Sequence, residues 1–354
     1  MDKKIPVGVL GATGTVGQRF VQLLDGHPWF EVVAVTGSDR TIGQPYGQGV
    51  NWVIPGEPPA AAADLIVQPT EPNLEIGGET PVVFSALPTS LAKEWEPRFA
   101  AAGYAVVTNA SSFRMTPDVP LLIPEVNPEH TGLIPTQQAN NGWSGFIVAS
   151  PNCSTTSLIL PMKIWQDAFG LEAAVITTLQ AVSGAGYPGV SSMDIMDNVV
   201  PYIGGEDGKL ESEPKKLLGT VTDGLLQLAE IRTSAQANRV PVIDGHLASV
   251  SVKLGKSPTV EQAIAALESW QPPAVCRQLP TAPERTLIYR HEPDRPQPRL
   301  DRDAENGLAW TVGSVRPCGV LDLRFLAITH NTLRGAASGS ILNAELLVVQ
   351  GYIK

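Results

Sequence analysis

Positive charge, cysteine and long apolar runs are all scarce in this chain. Its 354 residues carry 25 Lys+Arg against 35 Asp+Glu, a net charge of −10. That balance argues against non-specific nucleic-acid binding and against an anionic membrane surface. Three cysteines, Cys153, Cys276 and Cys318, are too few and too odd in number for a disulfide framework. They form no CxxC and no Cys/His cluster, so no metal site is expected. No run of about 18 apolar residues occurs, which predicts no membrane-spanning helix. The opening Met1-Asp2-Lys3-Lys4 leads directly into an apolar strand and leaves no room for a signal peptide. A reducing cytoplasm is the expected compartment.

What is present is an ordinary globular composition, 43% hydrophobic and 17% charged, long enough for about two domains. Ile5-Pro6-Val7-Gly8-Val9-Leu10 is a continuous apolar run, as in a strand buried on both faces. The glycine-rich turn from Gly11 to Gly17 follows, then apolar residues at helical spacing from Gln18 to Leu24. Glu31–Thr36, Pro81–Ser85 and Tyr104–Thr108 continue the strand–helix alternation of a doubly wound parallel sheet. Beyond residue 153 the pattern changes. Val175–Val182 is β-rich, and His246–Leu254 and Leu321–Leu326 alternate with period 2, as antiparallel strands with one exposed face do. The expected fold is therefore α/β: a Rossmann-type domain plus an α+β domain with a mixed sheet. The boundaries are set at 1–152 with 333–354 and at 153–332. Tracts 183–190, 271–283 and 292–299 read as loops. The tail from Ala336 to Tyr352 reads as a helix apolar on one face.

Cys153 stands in Ser150-Pro151-Asn152-Cys153-Ser154-Thr155-Thr156, between the apolar run Gly145–Ala149 and a helix-like stretch. A sulfur at a helix N-terminus meets orphan amide hydrogens and the positive dipole end, which favour the thiolate. A thiolate there is a nucleophile; a small buried hydrophobe is the alternative. Gly11-x-x-Gly14-x-x-Gly17 follows a strand and opens a helix, the setting in which backbone amides approach a pyrophosphate. At the end of the second strand, Ser38 and Arg40 suit a 2′-phosphate, while Asp39 keeps a free ribose possible. NADP(H) is the expected cofactor.

Among five histidines, His246 is the first candidate acid/base, because it opens a strand in the second domain; a satisfied core histidine is the competing reading. His330 is the runner-up, and His27 and His130 read as loop residues. Gly184 lies in a glycine-rich loop able to approach a ligand. Glu206 and Lys209, three residues apart in Gly-Gly-Glu-Asp-Gly-Lys, share a face if the turn is helical.

The runs VGVLGATGTVGQRFVQLL, SPNCSTTSL, LQAVSGAGYPG, GGEDGK, RVPVIDGH and HNTLRGAASGSILNAELL together resemble the aspartate-β-semialdehyde dehydrogenases, most closely their archaeal and fungal branch. The resemblance spans nearly the whole chain in order. It implies that Cys153 is the nucleophile, His246 the acid/base and Gln180 the glutamine that follows the cysteine. It places the substrate carboxylate on Arg239 and the ammonium on Glu206. Phosphate falls to Lys209, Arg114 and Asn109. It also implies cofactor contacts at Gly11, Thr13, Gly14, Thr15, Val16, Ser38, Arg40, Ser183, Gly184 and Asn331. Asn152 is a candidate oxyanion donor by position.

The implied reaction interconverts L-4-aspartyl phosphate and NADPH with L-aspartate 4-semialdehyde, phosphate and NADP⁺, in lysine, methionine, threonine and isoleucine biosynthesis. Cys153 forms a thioester, hydride reaches the thioester carbon, and His246 protonates the resulting oxygen. A small-molecule substrate is expected, and by analogy a homodimer or homotetramer. Malonyl-CoA reductase is the alternative, with N-acetyl-glutamyl phosphate reductase and a non-catalytic NADP-binding regulator behind it.

Overall fold

The computed structural model describes residues 4–354, in two six-stranded sheets and a short ribbon. Strands β1 (Ile5–Leu10), β2 (Phe30–Thr36), β3 (Val67–Gln68), β4 (Val82–Ser85), β5 (Ala105–Thr108) and β6 (Phe146–Ala149) form the first, in the order β3-β2-β1-β4-β5-β6. Every pair in it is parallel. Buried β4, β5 and β6 are uniformly apolar apart from a terminal Ser or Thr, as a sheet covered on both faces requires. Helix α1 (Thr15–Leu24) follows β1, and α2 (Thr89–Ala101) follows β4.

Helix α3 (Cys153–Phe169) leaves β6 and starts the second half. It is apolar almost all round and buried, and Trp165 packs edge-on against Phe325. The second sheet then comprises β7 (Leu171–Gln180), β10 (Arg232–Arg239), β11 (His246–Leu254), β12 (Leu287–Arg290), β13 (Trp310–Pro317) and β14 (Leu323–Thr329), in the order β10-β7-β11-β14-β13-β12. It is mixed: β7–β10 and β12–β13 are parallel, whereas β11 runs antiparallel to β7 and β14. The ribbon is β8 (Thr220–Thr222) with β9 (Leu225–Gln227). Helix α4 (Glu206–Leu217) precedes it.

The closing helix α5 (Ser338–Val349) departs from the sequence expectation. It is not apolar on one face and wet on the other, because Ser340, Asn343 and Glu345 are buried as well. Each has a partner: Ser340 meets Ser150, Asn343 donates to Leu122 O, and Glu345 takes His27 at 2.9 Å and Thr281 Oγ1 at 2.7 Å. Its apolar residues Ile341, Leu342 and Leu346 join the core of β1, β5 and β6. His27 and His130, expected in open loops, are buried too; His130 lies between Asn127 and the Gly219 carbonyl.

Candidate active site

The carboxyl ends of the first sheet, the start of α3 and the end of β7 converge on Cys153. Asn152 caps α3, its Oδ1 accepting from Ser154 N at 2.9 Å and Thr155 N at 3.3 Å. Its Nδ2 donates to both oxygens of Glu206 at 3.1 Å. Glu206 opens α4 and also receives Lys209 Nζ at 2.7 Å and Gln180 Nε2 at 3.2 Å. Burial pushes the Glu206 carboxyl up, but the hydrogen bonds from Lys209, Asn152 and Gln180 outweigh it and the net shift is downward.

The Asn152 side-chain amide, the candidate oxyanion donor, donates to Glu206 in this arrangement. Burial and then the Glu206 charge push the Cys153 thiol up to about 11, against the pull of Arg114, Arg239 and Lys209. The helix-end amides that would favour sulfur at Ser154 and Thr155 are taken by Asn152.

His246 and Arg239 are anchored on one residue. Ala181 N donates to His246 Nδ1 at 3.1 Å, and Ala181 O accepts from Arg239 Nη1 at 2.7 Å. Register explains the convergence, since Arg239 pairs with Gln180 across parallel strands and β11 begins beside the end of β7. Because Nδ1 accepts, the proton of the neutral ring sits on Nε2. That atom is buried without a partner. Burial, reinforced by Arg239, lowers the imidazole to about 3, so the ring is neutral. A Cβ on Gly184 would lie 2.8 Å from His246 Nε2 and 2.9 Å from Arg239 Nη1, so glycine keeps the space between them open. His330, the runner-up, is also buried, with Asp303 at 3.8 Å.

Arg114 and Asn109 lie just after β5. Arg114 Nη2 donates to Asn109 O at 2.7 Å, while Arg114 Nε and Asn109 Nδ2 are buried donors without partners. Unsatisfied buried donors of this kind suit an anion. Glu213, which the sequence reading missed, binds Arg114 Nη1 at 3.0 Å and Asn152 N at 2.7 Å. Lys216, also missed, donates to Thr116 O at 2.6 Å and Val119 O at 2.7 Å. The spacing Glu206, Lys209, Glu213, Lys216 repeats a helical face and was the available signal.

The nucleotide elements form the remaining wall. Gly11 has φ +71°, and a Cβ on Gly17 would lie 2.2 Å from Gly11 O, so the turn closes only with glycine. Gly14 gives α1 no side-chain cap, leaving the amides at Thr15 and Val16 for a ligand. Thr13 O holds the Gln18 side chain, and Ser38 and Arg40 are exposed at the end of β2. A cavity of about 360 Å³ joins Thr15 to Val182, Ser183 and Gly186. Asn331 binds Gly245 N at 2.8 Å and Ser183 Oγ at 2.8 Å, so it positions Ser183 and the turn before His246. Each of its polar atoms has one protein partner, leaving one donor and one acceptor site on the amide.

Residues 6–134 match the family model described as semialdehyde dehydrogenase, NAD binding domain, and residues 163–334 match semialdehyde dehydrogenase, dimerisation domain. The aspartate-semialdehyde dehydrogenase of Archaeoglobus fulgidus is 51% identical over 98% of this chain and 99% of that one.

The chain belongs to the aspartate-semialdehyde dehydrogenase family.

The enzyme of Cryptococcus neoformans is 45% identical over 99% of both chains. The crystal structure of the Candida albicans enzyme with NADP superposes with a TM-score of 0.89 at 40% identity, covering 99% of this chain and 100% of that one. Membership of this family rests on both domains and nearly the full length, not on one motif. Among the described residues no helix is long and apolar enough to cross a membrane, and no group of metal-ligating side chains occurs.

Proposed function

We propose that Cys153 is the nucleophile of this family's reaction and that the ionic groups around it read the substrate. The activity is that of an NADP-dependent aspartate-semialdehyde dehydrogenase, a phosphorylating oxidoreductase of amino-acid biosynthesis. The observation that carries the site assignment is the set of ionic side chains held beside Cys153: Glu206 on the Asn152 side chain, Lys209 on Glu206, Arg239 on Ala181 O beside His246, and Arg114 paired with Glu213. An amino-acid acyl phosphate carries one ammonium, one carboxylate and a phosphate dianion, which Glu206, Arg239 and the pair Arg114 and Lys209 would meet.

In the biosynthetic direction the Cys153 sulfur attacks the acyl carbon: the C–S bond forms, the acyl C–O(P) bond breaks, and the thiol proton leaves on the departing phosphate. Phosphate leaves toward Arg114, Asn109 and Lys209. Arg239 grips the α-carboxylate with the guanidinium edge not used by Ala181. Glu206 exchanges Lys209 for the α-ammonium. A nicotinamide held beside the Thr15–Ser183 cavity would supply the hydride that brings the thioester carbon to the aldehyde level. His246 Nε2–H donates to the oxygen that gains charge. Collapse of that adduct expels the sulfur, which takes up a proton. The first-turn amides of α1 would hold the pyrophosphate and Arg40 the 2′-phosphate.

Malonyl-CoA reductase is not supported by these relatives, and its substrate has no ammonium for Glu206. We place the nucleotide domain at 1–152 with 333–354, supported by the packing of α5 on β1, β5 and β6. A homo-oligomer is supported by the exposure of Tyr187, Met193, Met196 and Tyr202 in the second half. The family's biosynthetic role supports a cytoplasmic location. The test is NADPH formation from aspartate semialdehyde and phosphate, compared with malonate semialdehyde and coenzyme A. Faster turnover of the second pair would overturn the substrate assignment.

A further inference from the structure

Helix α4 presents Glu206, Lys209, Glu213 and Lys216 at offsets 0, 3, 7 and 10, one face of a 3.6-residue helix. The substrate reading uses the first two. The third, Glu213, is 1% exposed and touches no substrate group, yet both its oxygens are directed at the site. Oε1 accepts from Arg114 Nη1 at 3.0 Å, and Oε2 accepts from the Asn152 backbone N at 2.7 Å.

We propose that Glu213 is a positioning residue that locks the phosphate-binding arginine to the cysteine turn. A guanidinium is a planar fork, so its orientation is set once two of its nitrogens are bound. Glu213 takes Nη1 and Asn109 O takes Nη2 at 2.7 Å. The plane is then fixed, and the buried, unpartnered Nε remains together with the unpartnered Asn109 Nδ2. The second oxygen of Glu213 holds the amide one residue before Cys153. One carboxylate therefore ties the leaving-group site to the peptide that sets the nucleophile. Lys216, a turn further on, anchors the Thr116 and Val119 carbonyls and so steadies the loop that follows Arg114.

The proposal rests on the reading of Arg114 as a phosphate ligand, and the experiment separates the two. Glu213→Gln is nearly isosteric; its amide can serve Asn152 N or Arg114 through one oxygen, but its NH₂ opposes the other donor. In the direction that consumes phosphate, Glu213→Gln should raise KM for phosphate about tenfold, the lower end of the loss of a charge-assisted hydrogen bond. KM for aspartate semialdehyde and the NADP⁺ dissociation constant should stay within about twofold, well below the effect of one lost hydrogen bond. Arg114→Ala, measured alongside, should raise the phosphate KM at least as much, and the double variant should add little to it. If Arg114→Ala leaves the phosphate KM unchanged, the phosphate reading itself fails. If Arg114→Ala raises it and Glu213→Gln does not, or if Glu213→Gln lowers Tm and kcat with no selective change in phosphate KM, Glu213 is only structural and the proposal is overturned. Glu213→Asp shortens the reach by one methylene and serves as the second variant should Glu213→Gln fold poorly; it should show the same selective phosphate effect.

Discussion

Lys209 Nζ lies 2.7 Å from Glu206 Oε1, so two charges assigned to opposite ends of the substrate neutralise each other in the ligand-free protein. On the proposed reading, an arriving ammonium displaces Lys209 from Glu206 and frees it for phosphate. Glu206→Gln should therefore lower kcat/KM for aspartate semialdehyde by roughly 10- to 150-fold, the value of a charge-assisted hydrogen bond. For a semialdehyde lacking the amino group the loss should be much smaller. Measuring both variants of enzyme against both aldehydes gives the double difference, and equal losses would show that Glu206 does not read the ammonium.

The most reactive of the three thiols should not be the catalytic one. Backbone hydrogen bonds, from Leu321 first, lower the Cys318 thiol, whereas burial raises Cys153 to about 11 and Cys276 to about 12. Iodoacetamide at neutral pH should label Cys318 first. In a Cys318→Ala background, Cys153 alkylation should accelerate about tenfold per pH unit with no plateau below pH 10, because only the thiolate reacts. Glu206→Gln removes a charge that raises this thiol and should speed the labelling. Cys153→Ala should retain under about a hundredth of the wild-type rate, while Cys276→Ala and Cys318→Ala stay active.

His246→Asn should fold and bind NADP⁺ normally but lose kcat by about 10²–10⁴-fold. Since burial holds the imidazole near 3, kcat/KM should show no acid limb from this residue around pH 6.5. A comparable loss in His330→Asn with His246→Asn near normal would transfer the role to His330.

Arg40 is exposed beyond the end of β2; its carbonyl accepts from Gln44 Nε2 at 2.9 Å, and no hydrogen bond or ion pair of its guanidinium occurs among the described residues. Arg40→Ala should weaken NADP⁺ by about 10- to 150-fold and leave NAD⁺ nearly unchanged. Titrations showing equal losses for both would remove the 2′-phosphate assignment.

Glu96 on α2 is fully buried, with Thr108 Oγ1 at 2.5 Å, and burial raises its carboxyl to about 7. A folded value above the unfolded one contributes stability that is complete below about pH 4.5 and lost as pH rises through 7. Glu96→Gln should thus raise Tm by about 2–4 °C or more at pH 8 relative to wild type and give no gain at pH 5. A gain that is independent of pH would mean that the carboxyl does not titrate in this window.

The first half of the fold was legible because its signals are local. A two-face-buried parallel strand is a continuous apolar run, so β1, β4 and β5 could be placed within a residue or two. The glycine turn and the cysteine between β6 and α3 were equally plain, because glycine and a helix start act within a few residues. The mixed second sheet was visible through the period-2 pattern of β11 and β14, but its strand order was not, since pairing is set by long-range packing. Residue roles followed family resemblance for Arg239 and Glu206, and spacing alone for neither.

By itself, the sequence singled out candidates for the chemistry: a cysteine after an apolar strand, a glycine turn after another, and an acid and bases that family resemblance assigns to an amino-acid acyl phosphate. Only the tertiary structure decided their protonation and their partners. Glu213 is 61 residues from Asn152 and 99 from Arg114, yet one carboxylate bonds both. The Cys153 helix start favours a thiolate, whereas burial and Glu206 push the thiol up in the folded chain. Local sequence sees the helix dipole and the cap. It does not see the burial or the carboxylate that folding brings from position 206, and both push the Cys153 thiol up.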